Sequence, residues 1–171
     1  MIDRIIIPNL KRREDKWYFM LGALHHAGLD IGRGDFIIRH IAHDGKDYRD
    51  DIQVRDAAIA DGFDGFTRYD GQHNRLPVTN MAWFWTWNSV MRKIAEMPKE
   101  WKVLYLIDDV YPAPNYTWER INKLAQEVVQ MQGHGKFRGL QLHQDFKASE
   151  YRPITPLINS SVLSYLSLIH I

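Results

Sequence analysis

Three short apolar runs, each opening onto polar residues, constrain this chain more than anything else in it. They are Ile5-Ile6-Ile7 before Pro8, Phe36 to Ile41, and Lys102-Val103-Leu104-Tyr105-Leu106-Ile107. A continuous apolar run, as opposed to an alternating one, suits a strand buried on both faces, the kind found in parallel sheets. Between the runs lie segments with helical spacing. Trp17, Met20, Leu21 and Leu24 share one helical face, and Gly28 stands where such a helix commonly ends. Asp47 is placed to cap a second helix through about Ala60, closed by Gly62. A third pattern runs from Asn80, a plausible cap, to Met97 before Pro98, and a fourth from Thr117 to Met131 before Gly133. Arg138 to Leu142 reads as a last strand, and Phe63 to Pro77 as a long surface loop with one short strand near Gly65 to Tyr69. The alternation predicts an α/β fold with a mostly parallel sheet flanked by helices. Ligands of such sheets bind at the carboxyl ends of the strands.

A chain of 171 residues suits one domain. Hydrophobic residues at 45% and charged residues at 25% exclude wholesale disorder. Lys and Arg total 22 against 21 Asp and Glu, so the charge balance gives no direct nucleic-acid signal and no case for an anionic membrane. The absence of cysteine excludes a disulfide scaffold, a thiolate zinc site and a Cys nucleophile. No apolar run reaches the length of a membrane span, and the N-terminal segment lacks the small-residue cleavage site of a signal peptide, so a cytoplasmic protein is expected. Ser160 to Ile171 is uncharged, apolar and serine-rich. Such a tail is either an element paired inside the domain or the read-through end of a truncated fragment. The expected organisation is one domain over residues 1–159, incomplete at its C-terminus, followed by an anomalous tail at 160–171.

Four clusters carry potential chemistry. Asp108-Asp109 closes the strongest apolar run, where carboxylates are costly unless they meet a cation, donors or a cavity. They read either as a Mg2+ or Mn2+ site holding a diphosphate, or as a turn residue and a helix cap before Pro112. Asn9-Leu10-Lys11-Arg12-Arg13 follows the first run; it reads as a phosphate or carboxylate site, or as a solvated basic face balanced by Glu14 and Asp15. Asp44-Gly45 reads as a turn, or as an acid set over a bound nucleoside. Of Trp83, Trp85 and Trp87, the helical period puts the first and last on one face and turns Trp85 away; two of the three read as core packing, and an exposed Trp85 would be free to stack on a sugar or base. The eight histidines form no metal pattern, and His143 with Asp145 is the only late acid/base pair. No glycine-rich phosphate loop of the P-loop or dinucleotide type is present.

Together these blocks resemble the family 25 glycosyltransferases, which include lipopolysaccharide and collagen hydroxylysine galactosyltransferases. The resemblance rests on IIIPNLKRREDK at Ile5 to Lys16, Ala42-His43-Asp44-Gly45, and Leu106-Ile107-Asp108-Asp109-Val110, in the family's order and rough spacing over about residues 1 to 130. It implies a GT-A fold and transfer of a hexose from a UDP-sugar to a hydroxyl of a glycan, protein or other acceptor. It also implies a Mn2+ or Mg2+ cofactor at Asp108 and Asp109 and a nucleotide pocket lined by Asn9, Arg12, Asp44 and Asp108; the catalytic candidates are Asp109 and, outside the stretch that carries the resemblance, Asp145. The chain departs from the family in three ways, one being that no part of it is recognisable as the one that completes the family's acceptor site and supplies a catalytic base. Ile107 stands where the family has Glu, and Thr79 to Trp87 stands where it has Gly-Cys-x-x-Ser-His. A non-catalytic sugar- or protein-binding module of the same fold is the alternative, and a structural protein binding a partner through aromatic residues is a third.

Overall fold

A computed structural model describes residues 1–72, 75–108, 117–131, 139–143 and 165–170. The chain runs β1 (Arg4–Leu10), α1 (Glu14–His26), β2 (Ile37–Ala42), α2 (Asp51–Ala60), α3 (Val78–Ala95), β3 (Lys102–Tyr105), α4 (Trp118–Met131), β4 (Gly139–His143) and β5 (Tyr165–His170). The strands form one sheet in the order β2-β1-β3-β5-β4. β1 pairs in parallel with β2 and with β3, while β5 runs antiparallel to both β3 and β4. A mixed α/β architecture is therefore what the apolar runs build. The segment expected to be anomalous contributes β5, paired with β3 from Lys102↔His170 to Tyr105↔Ser167.

The continuous apolar runs work as their pattern requires. Side chains alternate across a strand, so Ile5 and Ile7 of β1 meet Met20 and Leu24 of α1 and Ile121 and Ala125 of α4 on one face. Ile6 faces the other way, onto Val90 and Ile94 of α3. Leu104 and Leu106 join the first group, while Val103, Tyr105 and Ile107 join the second. Ile5, Ile6 and Ile7 are each fully buried, and truncating one to Ala would cost about 2–5 kcal/mol. The helix α2 packs outside α3 around Val54, Ala58, Met81 and Trp85.

Glycine ends two helices as expected. Leu29 N–H donates to Leu24 O and Gly28 N–H to His25 O, with Gly28 at φ +92°. Phe63 N–H to Ala58 O and Gly62 N–H to Ile59 O, with Gly62 at φ +84°, repeat that Schellman closure.

Several local expectations are corrected. Pro8 does not stop β1, which continues through Asn9 to Leu10. Ile5 N–H donates toward β2, to Phe36 O. By alternation the position of Pro8 faces β3, where the pairing register ends at Ile6. Its missing donor therefore costs the ladder nothing. Asp50, not Asp47, caps α2, its carboxylate accepting from Gln53 N–H at 2.9 Å; Asp47 lies in a 3-10 turn, Gly45–Asp47. The short strand expected near Gly65 to Tyr69 is a 3-10 turn at Asp64–Phe66. Asn80 lies inside α3, which starts at Val78 after Pro77. Trp85 is buried and its indole N–H donates to Asp61 at 2.8 Å, whereas Trp87 is 47% exposed. The helical spacing was right, but α2 covers the side of α3 that sequence alone leaves open.

Candidate functional site

The chain crosses from β1 to β2 through α1 on one face of the sheet, and from β2 to β3 through α3 on the other. The direction of winding thus reverses between β1 and β3. That switch point, at the carboxyl ends of the strands, is where α/β sheets form ligand crevices. A cleft of about 560 Å³ opens there. Its walls include Arg12, Arg13 and Lys16 from the turn after β1 and the start of α1, and His43 to Lys46 after β2. Thr79, Asn80, Trp83 and Phe84 of α3 and Ile107 and Asp108 after β3 complete it.

At its base, Asn9 is 1% exposed and makes four hydrogen bonds. Its Nδ2 donates to Asp108 Oδ2 at 2.7 Å and to Arg13 O at 3.0 Å. Its Oδ1 accepts from Arg39 Nε at 2.9 Å and Nη2 at 2.6 Å. Both amide protons and the carbonyl oxygen are thereby used, which is what a buried amide requires. Arg39 sits mid-strand in β2. It is held over the Trp17 ring, 5.5 Å from its centroid, with Glu14 4.0 Å away.

On the opposite wall Asp44 forms an ion pair with Arg12 and accepts from Lys46 N–H at 3.0 Å. The Arg12 guanidinium holds the Asp44 carboxyl below the usual carboxylate range, with the Lys46 amide adding to it. The loop carrying Asp44 is pressed onto α3. A Cβ at Gly45 would lie 2.9 Å from the Thr79 Cα, so only glycine fits that approach.

Beside Asp44, the His43 ring stacks on Trp85 at 3.5 Å between centroids and 12° between planes. The His43 backbone N–H donates to Thr86 Oγ1 at 2.9 Å. Burial lowers the His43 pKa, which keeps the ring neutral at pH 7, against the opposing pull of Asp61.

Of the residues expected from sequence, Arg12, Asp44 and Asp108 line this one cleft, and Asn9 lies buried behind it, bonded to Asp108. Asp109 and Asp145 lie outside the described residues, as does the side chain of His143. Trp85, expected to stack on a ligand, is packed into the core, and Trp83 lines the cleft in its place. Arg39, Lys16 and Lys46 were not singled out as site residues. For Arg39 a signal existed: a guanidinium within an apolar strand requires a buried acceptor, and Asn9 provides it.

A divalent cation was expected here. Among the described residues no group of three acidic or imidazole side chains gathers. Asp44 is engaged by Arg12 and Asp108 by Asn9. The donor set does not fit a cation held by protein alone. It fits one held by a single carboxylate, Asp108, with phosphate oxygens and water as the remaining ligands.

Arg12, Arg13, Lys16 and Lys46 outnumber Asp44 and Asp108 along the walls, although the whole chain is close to neutral. The cleft is accordingly suited to an anion with an apolar or aromatic part against Trp83 and Phe84. Among the described residues no helix is long and apolar enough to cross a membrane. The chain matches no family model, no curated protein and no solved structure.

Proposed function

We propose that this chain is a glycosyltransferase of GT-A type. It moves a hexose from a nucleoside diphosphate sugar to a hydroxyl group of a glycan, protein or other acceptor. The observation that carries the reading is the pairing of Asn9 with Asp108, 99 positions apart, at the base of a cleft walled by four cationic side chains.

Transfer breaks the bond between the anomeric carbon and a phosphate oxygen, and negative charge grows on the departing diphosphate. Fixed cations lower that barrier most when they are already in place. Arg12 and Arg13 come from the β1–α1 turn, Lys16 from the first turn of α1 and Lys46 from the loop after β2. Trp83 and Phe84 offer apolar surface for the nucleoside or the sugar. Mn2+ or Mg2+, when bound, would supply Lewis-acid stabilisation of the diphosphate, with Asp108 as its ligand from the described residues. Asp109 and Asp145 remain the candidate carboxylates for proton transfer from the acceptor.

Isothermal titration with UDP-sugars, with and without Mn2+, tests the reading. Saturable heat that is lost in Asp108→Asn supports it. No heat with any nucleotide sugar in either condition overturns it.

One observation favours the second reading, a sugar- or protein-binding module without transfer. Ile107, where the resembled family carries Glu, is 7% exposed and packs with Val90 and Ile94 of α3. A glutamate there would meet core as well as cleft. Binding of a nucleotide sugar without release of its nucleoside diphosphate in the presence of acceptor glycans would select this reading.

A further inference from the structure

We infer that Trp87 seats a neutral glycan, and that the acceptor in the proposed reaction is of that class. The place in a reaction rests on the glycosyltransferase reading; the sugar site itself does not.

The cleft has two unlike walls. Arg12, Arg13, Lys16 and Lys46 come from the β1–α1 turn, the start of α1 and the loop after β2, whereas α3 contributes Thr79, Asn80, Trp83 and Phe84. From Val78 to Met91 that helix carries no charged residue. A diphosphate is drawn to the cationic wall, and the α3 wall favours an uncharged partner.

Trp83, Phe84 and Trp87 follow Asn80 by three, four and seven positions and so share one face of α3. The cleft takes up the start of that face. Trp87 lies one turn past Trp83, about 6 Å further along the helix axis and away from the cleft. Trp83 and Phe84 are half-buried, one against the group around Ile6 and Val90, the other against that around Val54 and Trp85. Trp87 is 47% exposed. An indole left that far in water is unusual, since tryptophan is on average one of the more buried residues.

The size of the patch decides what covers it. Among the described residues no other exposed large apolar side chain belongs to α3. Exposed Ile41 of β2 lies on the opposite face of the sheet by alternation, because Ile38 and His40 are the β2 residues that meet α3. A single ring is far short of the roughly 800 Å² per partner that a stable protein interface buries. A lipid surface likewise needs a wide apolar face. One indole does match one pyranose, whose flat C–H face stacks on an aromatic ring while its hydroxyl rim stays polar. A saccharide running from Trp87 along Trp83 brings its far hydroxyls to the Asn80 amide, which both donates and accepts. The stacking expected of Trp85 thus falls to Trp87.

The test is an array printed with neutral glycans, acidic glycans and unglycosylated peptides, probed with the labelled full chain as wild type, Trp87→Ala and Trp87→Phe. Affinities for the retained glycans are measured by calorimetry, and UDP is titrated into the wild type. Neutral glycans should be retained by the wild type. Their affinity should fall at least about tenfold in Trp87→Ala and less than about threefold in Trp87→Phe, which keeps a ring. Circular dichroism checks the fold of Trp87→Ala, and Trp87→Gln takes its place if it does not fold.

Retention of no neutral glycan overturns the inference, as does retention of acidic glycans or peptides alone. Undiminished glycan binding in folded Trp87→Ala or Trp87→Gln overturns it too. So does a dimer in sedimentation that the same substitution dissolves, which assigns the face to a second copy. UDP binding without glycan binding keeps the transfer reading and removes this site. Glycan binding that depends on Trp87, without UDP binding, removes the transfer reading and leaves the site in a sugar-binding module.

Discussion

Asn9 and Asp108 are separated by 99 positions in sequence and by 2.7 Å in space, the amide of one donating to the carboxylate of the other. The contact joins the end of β1 to the residue following β3 at the point where the winding of the sheet reverses. Removing Asn9 takes from Arg39 both its bonds to Oδ1 and from Asp108 one donor. Asn9→Leu should therefore lower stability by about 2–4 kcal/mol, mostly through hydrogen bonds lost at buried polar groups. Urea unfolding measures it. A loss under about 0.5 kcal/mol would show that water reaches and replaces the amide.

Gly45 governs how closely the loop carrying Asp44 approaches α3. A Cβ there would sit 2.9 Å from Thr79 Cα and 3.1 Å from its backbone nitrogen, neither of which can move without moving the helix. Gly45→Ala should cost about 1–3 kcal/mol and weaken UDP binding by displacing the Arg12–Asp44 ion pair. A variant as stable as wild type, with unaltered UDP affinity, would contradict the close seating of the loop.

Lys46 is exposed on the cleft wall, and its charge acts on the neighbouring Asp44. Lys46→Ala should leave stability within about 0.5 kcal/mol of wild type. It should weaken UDP binding by about tenfold at low salt, with the difference shrinking as ionic strength rises. Calorimetry at two salt concentrations separates this from a structural effect, which would persist in high salt.

His40 sets a pH dependence. Burial, with Lys93 and His43 adding repulsion, lowers its pKa to about 4, and Nε2 lies 2.8 Å from Ser89 Oγ. Ser89 Oγ–H is already given to Thr86 O, so the ring donates to Ser89 and is neutral in the folded state. The unfolded chain takes up the proton near the ordinary value of 6.5. The folded state therefore keeps its full stability above pH 6.5 and loses it as pH falls toward 4. The loss should be about 1–2 kcal/mol for a half-exposed ring. His43, lowered in the same direction, adds to the slope. His40→Gln should flatten the fall in urea midpoint between pH 7 and 4.5; an identical slope in variant and wild type would assign the dependence elsewhere.

Trp85 is held by an indole N–H bond to Asp61, which also accepts from Arg92 Nη2 at 2.5 Å. The Trp85 and Arg92 donors keep the Asp61 carboxyl below its ordinary pKa, with Trp85 the larger cause. Trp85→Phe keeps most of the apolar contact and loses the donor, and should cost about 1–2 kcal/mol. Trp85→Ala should cost about 3–5 kcal/mol. Thermal unfolding of the pair checks the order, and equal losses would mean that the Asp61 bond contributes nothing.

The α/β alternation was legible because its causes are local. Isoleucine runs, helical spacing and the glycines at 28 and 62 act over a few residues, and each appears where the sequence requires it. Candidate site residues were legible to the extent that polar groups at the ends of apolar runs need partners. Asn9, Arg12, Asp44 and Asp108 all meet that description; the last three line one cleft and Asn9 is bonded to Asp108 behind it.

Other features depended on what packs against what. Whether Trp85 or Trp83 faces the cleft follows from α2 covering one side of α3, and period alone cannot tell two faces of an apolar helix apart. That Pro8 can sit inside a strand follows from the β1–β3 pairing ending at Ile6. The bond from Arg39 to Asn9 required the parallel register that sets Ile7 beside Arg39 and Asn9 beside Ile41. Local chemistry thus determined which segments become strands and helices and which polar groups need partners. Only the packed sheet decided which partners they found, because those distances are set by strand order and helix placement across a hundred residues.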